Sequence, residues 1–134
     1  MLSLRSFREE DLESIKVQKE QDSEIVDPAS FLSADIAASI CDDKEVVCCI
    51  GIKTIEGRQC VAAYISKEIG IRIIELVRIF YNLKLQVLKP GAYFFVKKDF
   101  KNANKLAKLL GFKKSKEKPI DNKLKNYYIY EIGE

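Results

Sequence analysis

Alternation opens the chain. In LSLRSF, residues 2–7, apolar and polar side chains take turns, which predicts a first strand. Ser6 and Glu9 then stand at capping-box spacing, so a helix is expected to start there and carry Leu12 and Ile15 inward. In DPASFLSADIAASIC, Asp27 suits an N-cap and Pro28 a first helical position. Ala34, Ala37, Ala38 and Cys41 would give that second helix a small-residue face. VVCCIGIKTI and QCVAAYIS are β-rich runs on either side of a turn at Glu56-Gly57, which predicts an antiparallel hairpin. Their unbroken apolar centres suit central strands covered on both faces.

Over residues 71–88 the pattern changes period. Arg72, Glu75, Arg78 and Asn82 form one polar stripe on an otherwise apolar helix, expected to lie largely buried against a sheet. Pro90-Gly91 breaks the chain, and AYFFV reads as a buried strand. NANKLAKLLGF places Ala103, Leu106, Ala107 and Leu110 on one helical face, with Gly111 as a C′ stop. After a lysine-rich loop containing Pro119, NYYIYEI alternates as a final strand, whose edge would be open to pairing with a second copy. The order β-α-α-β-β-α-β-α-β predicts one α/β (α+β) domain over residues 1–134, a mixed sheet with helices on both faces.

Composition narrows the chemistry. The 134 residues are 47% hydrophobic and 32% charged, which suits a single globular domain. No apolar run approaches the roughly 20 residues of a membrane span, and the start, MLSLRSFREEDLE, has no signal-peptide pattern, so a cytoplasmic protein is expected. With no histidine, Ser-His-Asp and Cys-His machinery and a histidine base are excluded. Cys41, Cys48, Cys49 and Cys60 lack C-x-x-C spacing, and adjacent Cys48 and Cys49 would point to opposite faces of a strand. No metal site is expected, and the cysteines read as buried free thiols.

Charge is divided unevenly. Residues 1–67 hold 8 Lys and Arg against 13 Asp and Glu, a net of −5; residues 68–134 hold 15 against 7, a net of +8. The basic half suits phosphate on a cofactor or on nucleic acid. Its lysines are scattered singly and lack the arginines and aromatics of a nucleic-acid binder, so they read as solvated helix faces and turns.

This order of elements resembles the GNAT acyltransferase superfamily across nearly the whole chain. LRSFREEDLESI is similar to its first strand and helix, with Asp11 as the acidic residue of the early turn. CCIGI, with Gly51, resembles its second strand, and NANKLAKLLGF followed by YYIYEI its last helix and closing strand. The resemblance implies a three-layer fold with a mostly antiparallel central sheet, and acetyl transfer from acetyl-CoA to an amine on a small molecule or protein. The family's pyrophosphate turn reads Gln/Arg-x-x-Gly-x-Gly/Ala and precedes its third helix. Its counterpart here is Lys67-Glu68-Ile69-Gly70-Ile71-Arg72. The implied cofactor-binding residues are Lys67, Ile69, Gly70, Ile71 and Arg72, with Asn102 near the start of the last helix; Glu68 is the best-placed carboxylate for a catalytic base.

Three positions depart from the family. Arg72 replaces a small residue, Phe100 stands where an asparagine contacts the cofactor (Asn102 and Asn104 lie off register), and Ala107 stands where a tyrosine protonates the leaving thiolate. Tyr64, Tyr81, Tyr93, Tyr127, Tyr128 and Tyr130 are alternatives that spacing does not favour. Gln59-Cys60 and Gly111-Phe112 are also similar to a narrower group, small GNAT-like proteins of some short-tailed phages tied to virion assembly. Three readings follow: an acetyl-CoA-dependent N-acetyltransferase; a catalytically degenerate GNAT-like protein that acts by binding another protein; and, on the +8 half alone, a nucleic-acid module.

Overall fold

The structure is a computed structural model describing residues 1–15, 33–116 and 127–132. The elements are β1 (Leu2–Ser6), α1 (Glu10–Ser14), β2 (Ile36–Asp42), β3 (Glu45–Ile55), β4 (Arg58–Ile65), α2 (Ile73–Val87) after a 3₁₀ turn at Gly70–Arg72, β5 (Tyr93–Lys97), α3 (Lys101–Leu109), β6 (Lys113–Lys114) and β7 (Tyr127–Glu131). Seven strands form one sheet in the order β1-β2-β3-β4-β5-β7-β6. Every neighbouring pair is antiparallel except β4–β5. Among the described residues, no helix is long and apolar enough to cross a membrane.

The sheet divides the core in two. Ile40, Cys48 and Ile50 point to one face, where Leu76 and Phe80 of α2 and Ala107 of α3 cover them. Cys41 and Cys49 point to the other, beside Phe7 and Ile15 around α1. Neighbouring Cys48 and Cys49 do take opposite faces, as strand geometry requires.

The small-residue helix is a correction. Ala37, Ala38 and Cys41 lie in β2, and Ala34 is in no helix; Asp27 and Pro28 fall outside the described residues. Small residues at helical spacing tolerate a strand equally well. Here β2 is paired along both edges, Leu2↔Asp42 to Ser6↔Ala38 with β1 and Ile36↔Ile52 to Asp42↔Glu45 with β3. That pairing outweighs local propensity. Asp43, at φ 55, closes the β2–β3 turn. VVCCIGI is consequently the third strand, and Gly51 sits inside it rather than at its end.

Three smaller expectations also change. The capping box is not made: α1 has no side-chain cap, and the Asp11 carboxylate accepts the Arg8 N–H instead. β7 is not an edge, because β5 flanks it throughout and β6 pairs with Tyr130 and Glu131. Helix α2 buries only Leu76 and Phe80 fully, leaving Ile74, Tyr81 and Leu85 exposed, since a helix lying on one face of a sheet covers one side only.

Gly111 does end α3. At φ +86 it donates its N–H to Lys108 O while Phe112 donates to Ala107 O, a Schellman closure. Gln59 serves the frame: its amide donates to Val87 O, and its oxygen accepts from Lys89 N, tying the end of α2 to β4.

Candidate functional site

The opening in this sheet lies between β4 and β5. These parallel strands share a single ladder pair, Cys60↔Tyr93. Beyond it, β4 runs on against β3 to Cys48↔Ile65 and β5 against β7 to Lys97↔Tyr127, with no further pairing between them. The strands part toward their carboxyl ends, where parallel sheets bind ligands. Arg58 closes the other end. Its Nε donates to Gly91 O, Nη2 reaches Glu131, and the guanidinium lies 4.6 Å from the Tyr93 ring centroid. The apolar run VAAYI in β4 stays half-buried rather than sealed, with Ala62 exposed.

The turn from β4 into α2 sits at that carboxyl end. Buried Ser66 shapes it: its N–H donates to Val47 O, its hydroxyl accepts from Glu68 N–H, and its carbonyl accepts from Ile69 N–H. Ile69 is buried and pins the turn to the core. Ile69 is right-handed helical and Gly70 left-handed at φ +56, the succession that turns consecutive N–H groups into one concavity suited to an anion. Ile69 N–H is spent on Ser66. Gly70 and Ile71 N–H have no hydrogen-bond partner among the described residues. They stand at the head of α2, where the helix dipole adds its positive end.

Arg72 does not face that concavity with a free side chain. Nε donates to Ile69 O at 2.9 Å, and Nη2 donates to Glu68 O at 2.7 Å and Glu45 Oε2 at 3.0 Å. Nη1 donates to Asp42 Oδ2 at 3.0 Å and Glu45 Oε1 at 3.2 Å. These five contacts use every N–H an arginine has. The residue in the place of a small one therefore latches the β4–α2 turn to the β2–β3 turn. Arg72→Ala and the pair Asp42→Asn/Glu45→Gln are expected to act alike: hydrogen exchange over residues 66–73 speeds up several-fold in both. Unchanged exchange in the carboxylate pair would show that the latch does not hold the turn.

Of the other sequence-predicted residues, Lys67 and Glu68 are exposed in the same turn and Ile71 is 83% exposed at its tip. Asn102 lies exposed in the first turn of α3, which starts at the carboxyl end of β5. Asn104 is a clasp: its amide donates to Lys97 O and Phe100 O, and its oxygen accepts the Tyr130 hydroxyl at 2.7 Å. Phe100 and Ala107 are buried in the core. Tyr130 is fully buried, and burial, then Tyr128, pushes its phenol up from the ordinary value. Burial, then Cys60, raises Tyr93 at the closed end of the parting. Burial raises the Cys48 and Cys60 thiols, and pushes Cys49 up to about 11 against the Ser39 hydroxyl, so these three are not activated.

Ser66 and the parting itself were not identified from the sequence, and Asn104 was named there only as off register. Ser66, two residues before Glu68, carries a weak turn signal. The parting carries none, because it is a missing ladder rather than a residue type.

No protein-family model matches the sequence, and no curated protein matches it. The likeness among solved structures spans the chain. Ard1 from Thermoplasma volcanium is similar at a TM-score of 0.72 and 18% identity, over 99% of each chain. A GNAT-family acetyltransferase from Bacillus cereus gives 0.69 at 13% identity, over 100% of this chain and 98% of that one. The ribosomal-protein-S18-alanine N-acetyltransferase from Escherichia coli gives 0.65 at 9% identity, over 98% and 93%. At such identities the likeness is one of fold: this chain has the GNAT fold.

Proposed function

We propose that the chain binds acetyl-CoA and transfers its acetyl group to an amine. The observation that carries this reading is the pair of unpartnered amides at Gly70 and Ile71, set where β4 and β5 part in a chain of GNAT fold. They would hold the cofactor pyrophosphate, with Lys67 as the neighbouring cation, the turn's shape held by Ile69 and Arg72, and Asn102 toward the far side of the parting. The cofactor supplies an activated thioester. With that thioester bound, an amine would form the C–N bond as the C–S bond breaks and would give its ammonium proton to a base. Glu68 is the carboxylate in the turn for that role, and the leaving thiolate is protonated by water, since Ala107 offers no acid.

A second reading draws support from one observation. Arg72 holds the Asp42 and Glu45 carboxylates beside the turn, and Glu68 within the turn is exposed, an acidic setting that disfavours a polyanion. On that reading the fold persists without chemistry, and the protein acts by binding another protein.

Isothermal titration with acetyl-CoA, with free CoA as the control, separates the two. Saturable binding at micromolar ligand supports the transferase. A flat titration up to millimolar ligand overturns it, and affinity capture of a protein partner becomes the test of the second reading.

A further inference from the structure

We propose that a lysine-lined hollow between α3 and β6–β7 is a binding surface for single-stranded nucleic acid. The hollow is shallow, about 270 Å³, and lies beyond β5 on the side away from the β4–β5 parting. Asn102 is not among its lining residues, and the lysines gather there whether or not Gly70 receives a cofactor. Lysines that are scattered along the chain converge here from three elements: Lys98 from the β5–α3 turn, Lys101, Lys105 and Lys108 from α3, and Lys114 from β6. None has a carboxylate within ion-pair distance among the described residues.

The local sequence supplies little counter-charge. Residues 98–116 hold seven lysines against Asp99 alone. Like charges gathered in one place repel, and a polyanion that replaces their counterions relieves this.

Geometry favours a chain-like ligand with rings over a carboxylate-rich one. Lys101, Lys105 and Lys108 follow one another at i, i+4 and i+7, a row about 10 Å long at 1.5 Å rise per residue. Lys98 and Lys114 also line the hollow. The Tyr128 ring also lines it, with Lys114 Nζ lying 3.7 Å and Lys98 Nζ 5.3 Å from its centroid. A base stacking on Tyr128 displaces the Lys114 ammonium toward the phosphates, since base–aromatic stacking exceeds an exposed cation–π contact. A carboxylate has no ring to put there. Asn104 and Tyr130 complete the lining but are bonded to each other, so direct reading of base identity is not expected.

The test is fluorescence anisotropy with labelled oligothymidylate and oligouridylate across a salt series. Binding is expected at low salt, with log K falling against log salt at a slope of about −3.5 for five contacts on a single strand. Lys101→Gln/Lys105→Gln/Lys108→Gln, all exposed positions, is expected to flatten the slope by about 2 and weaken binding about a hundredfold near ~0.1 M salt. Unchanged circular dichroism would show that this variant is folded. Tyr128→Leu is expected to weaken binding several-fold at an unchanged slope. No binding at low salt, or equal binding by the folded triple variant, overturns the proposal. Competition by polyglutamate as effective as by the oligonucleotide at equal charge also overturns it, in favour of an acidic protein.

Discussion

Gly70→Glu is expected to abolish acetyl-CoA binding while leaving the protein folded, and Gly70→Ala to weaken binding only about fivefold. The difference lies in what each side chain brings. A Cβ at Gly70 meets no atom within 4 Å, so neither variant suffers a clash. Both carry the strain of an L-residue at φ +56, roughly 1 kcal/mol, and a turn eased out of that conformation turns its amides away. Glutamate adds a full negative charge beside the two N–H groups that would hold pyrophosphate. At about 5 Å and an effective dielectric of about 20, each like-charge pair costs about 3 kcal/mol, so a loss of more than a hundredfold is expected even after screening. Isothermal titration of both variants and the parent, beside their thermal midpoints, gives the answer. Glutamate and alanine variants with matched midpoints but widely separated affinities would place the phosphates at this turn. Wild-type affinity in Gly70→Glu would remove them from it.

A turn at Gly70 could be read along the chain because glycine between a β-rich run and an apolar helix marks a change of element. Its surroundings could not. Whether Arg72 faces a phosphate or a carboxylate depends on Asp42 and Glu45, which pairing of β2 with β3 brings back across 27 to 30 positions. The β2 segment was itself misread, for alanines and a cysteine at helical spacing serve a strand once both edges find partners. Elements with strong periods came through, α3 with its glycine stop and the β3–β4 hairpin with Glu56-Gly57 at its turn. Along the chain these lysines read as scattered charge, because convergence from α3 and β6 is a property of the fold rather than of spacing. Asp11 lies between these cases: its place in the first helix was legible, its partners were not.

Asp11→Ala is expected to cost about 3 kcal/mol of stability, and most of that cost should vanish in acid. The carboxylate is 2% exposed and accepts four hydrogen bonds: two from Arg5 at 2.7 Å, one from the buried Ser39 hydroxyl at 2.6 Å, and one from Arg8 N–H at 2.8 Å. Together they join β1, α1 and β2. Alanine strands the Ser39 hydroxyl and leaves the Arg5 guanidinium, whose side chain is 31% exposed, only partly hydrated. Breaking one side of such a buried pair typically costs 3–5 kcal/mol, and the partial exposure of Arg5 argues for about the lower figure. Burial alone would raise the carboxyl, but the bonds from Arg5, Ser39 and Arg8 outweigh it and hold the group down at about 2. Because this lies below the unfolded value of 3.8, the contribution is complete above pH ~4 and is lost as pH falls from there through about 2. The linked stability is about 2.5 kcal/mol. Urea unfolding of parent and variant at pH ~6 and at pH ~2.5 measures it: the gap in stability should narrow from about 3 to about 1.5 kcal/mol, chiefly because the parent weakens. A gap of equal size at both pH values would mean that Asp11 holds α1 to the sheet by its shape and not by its charge.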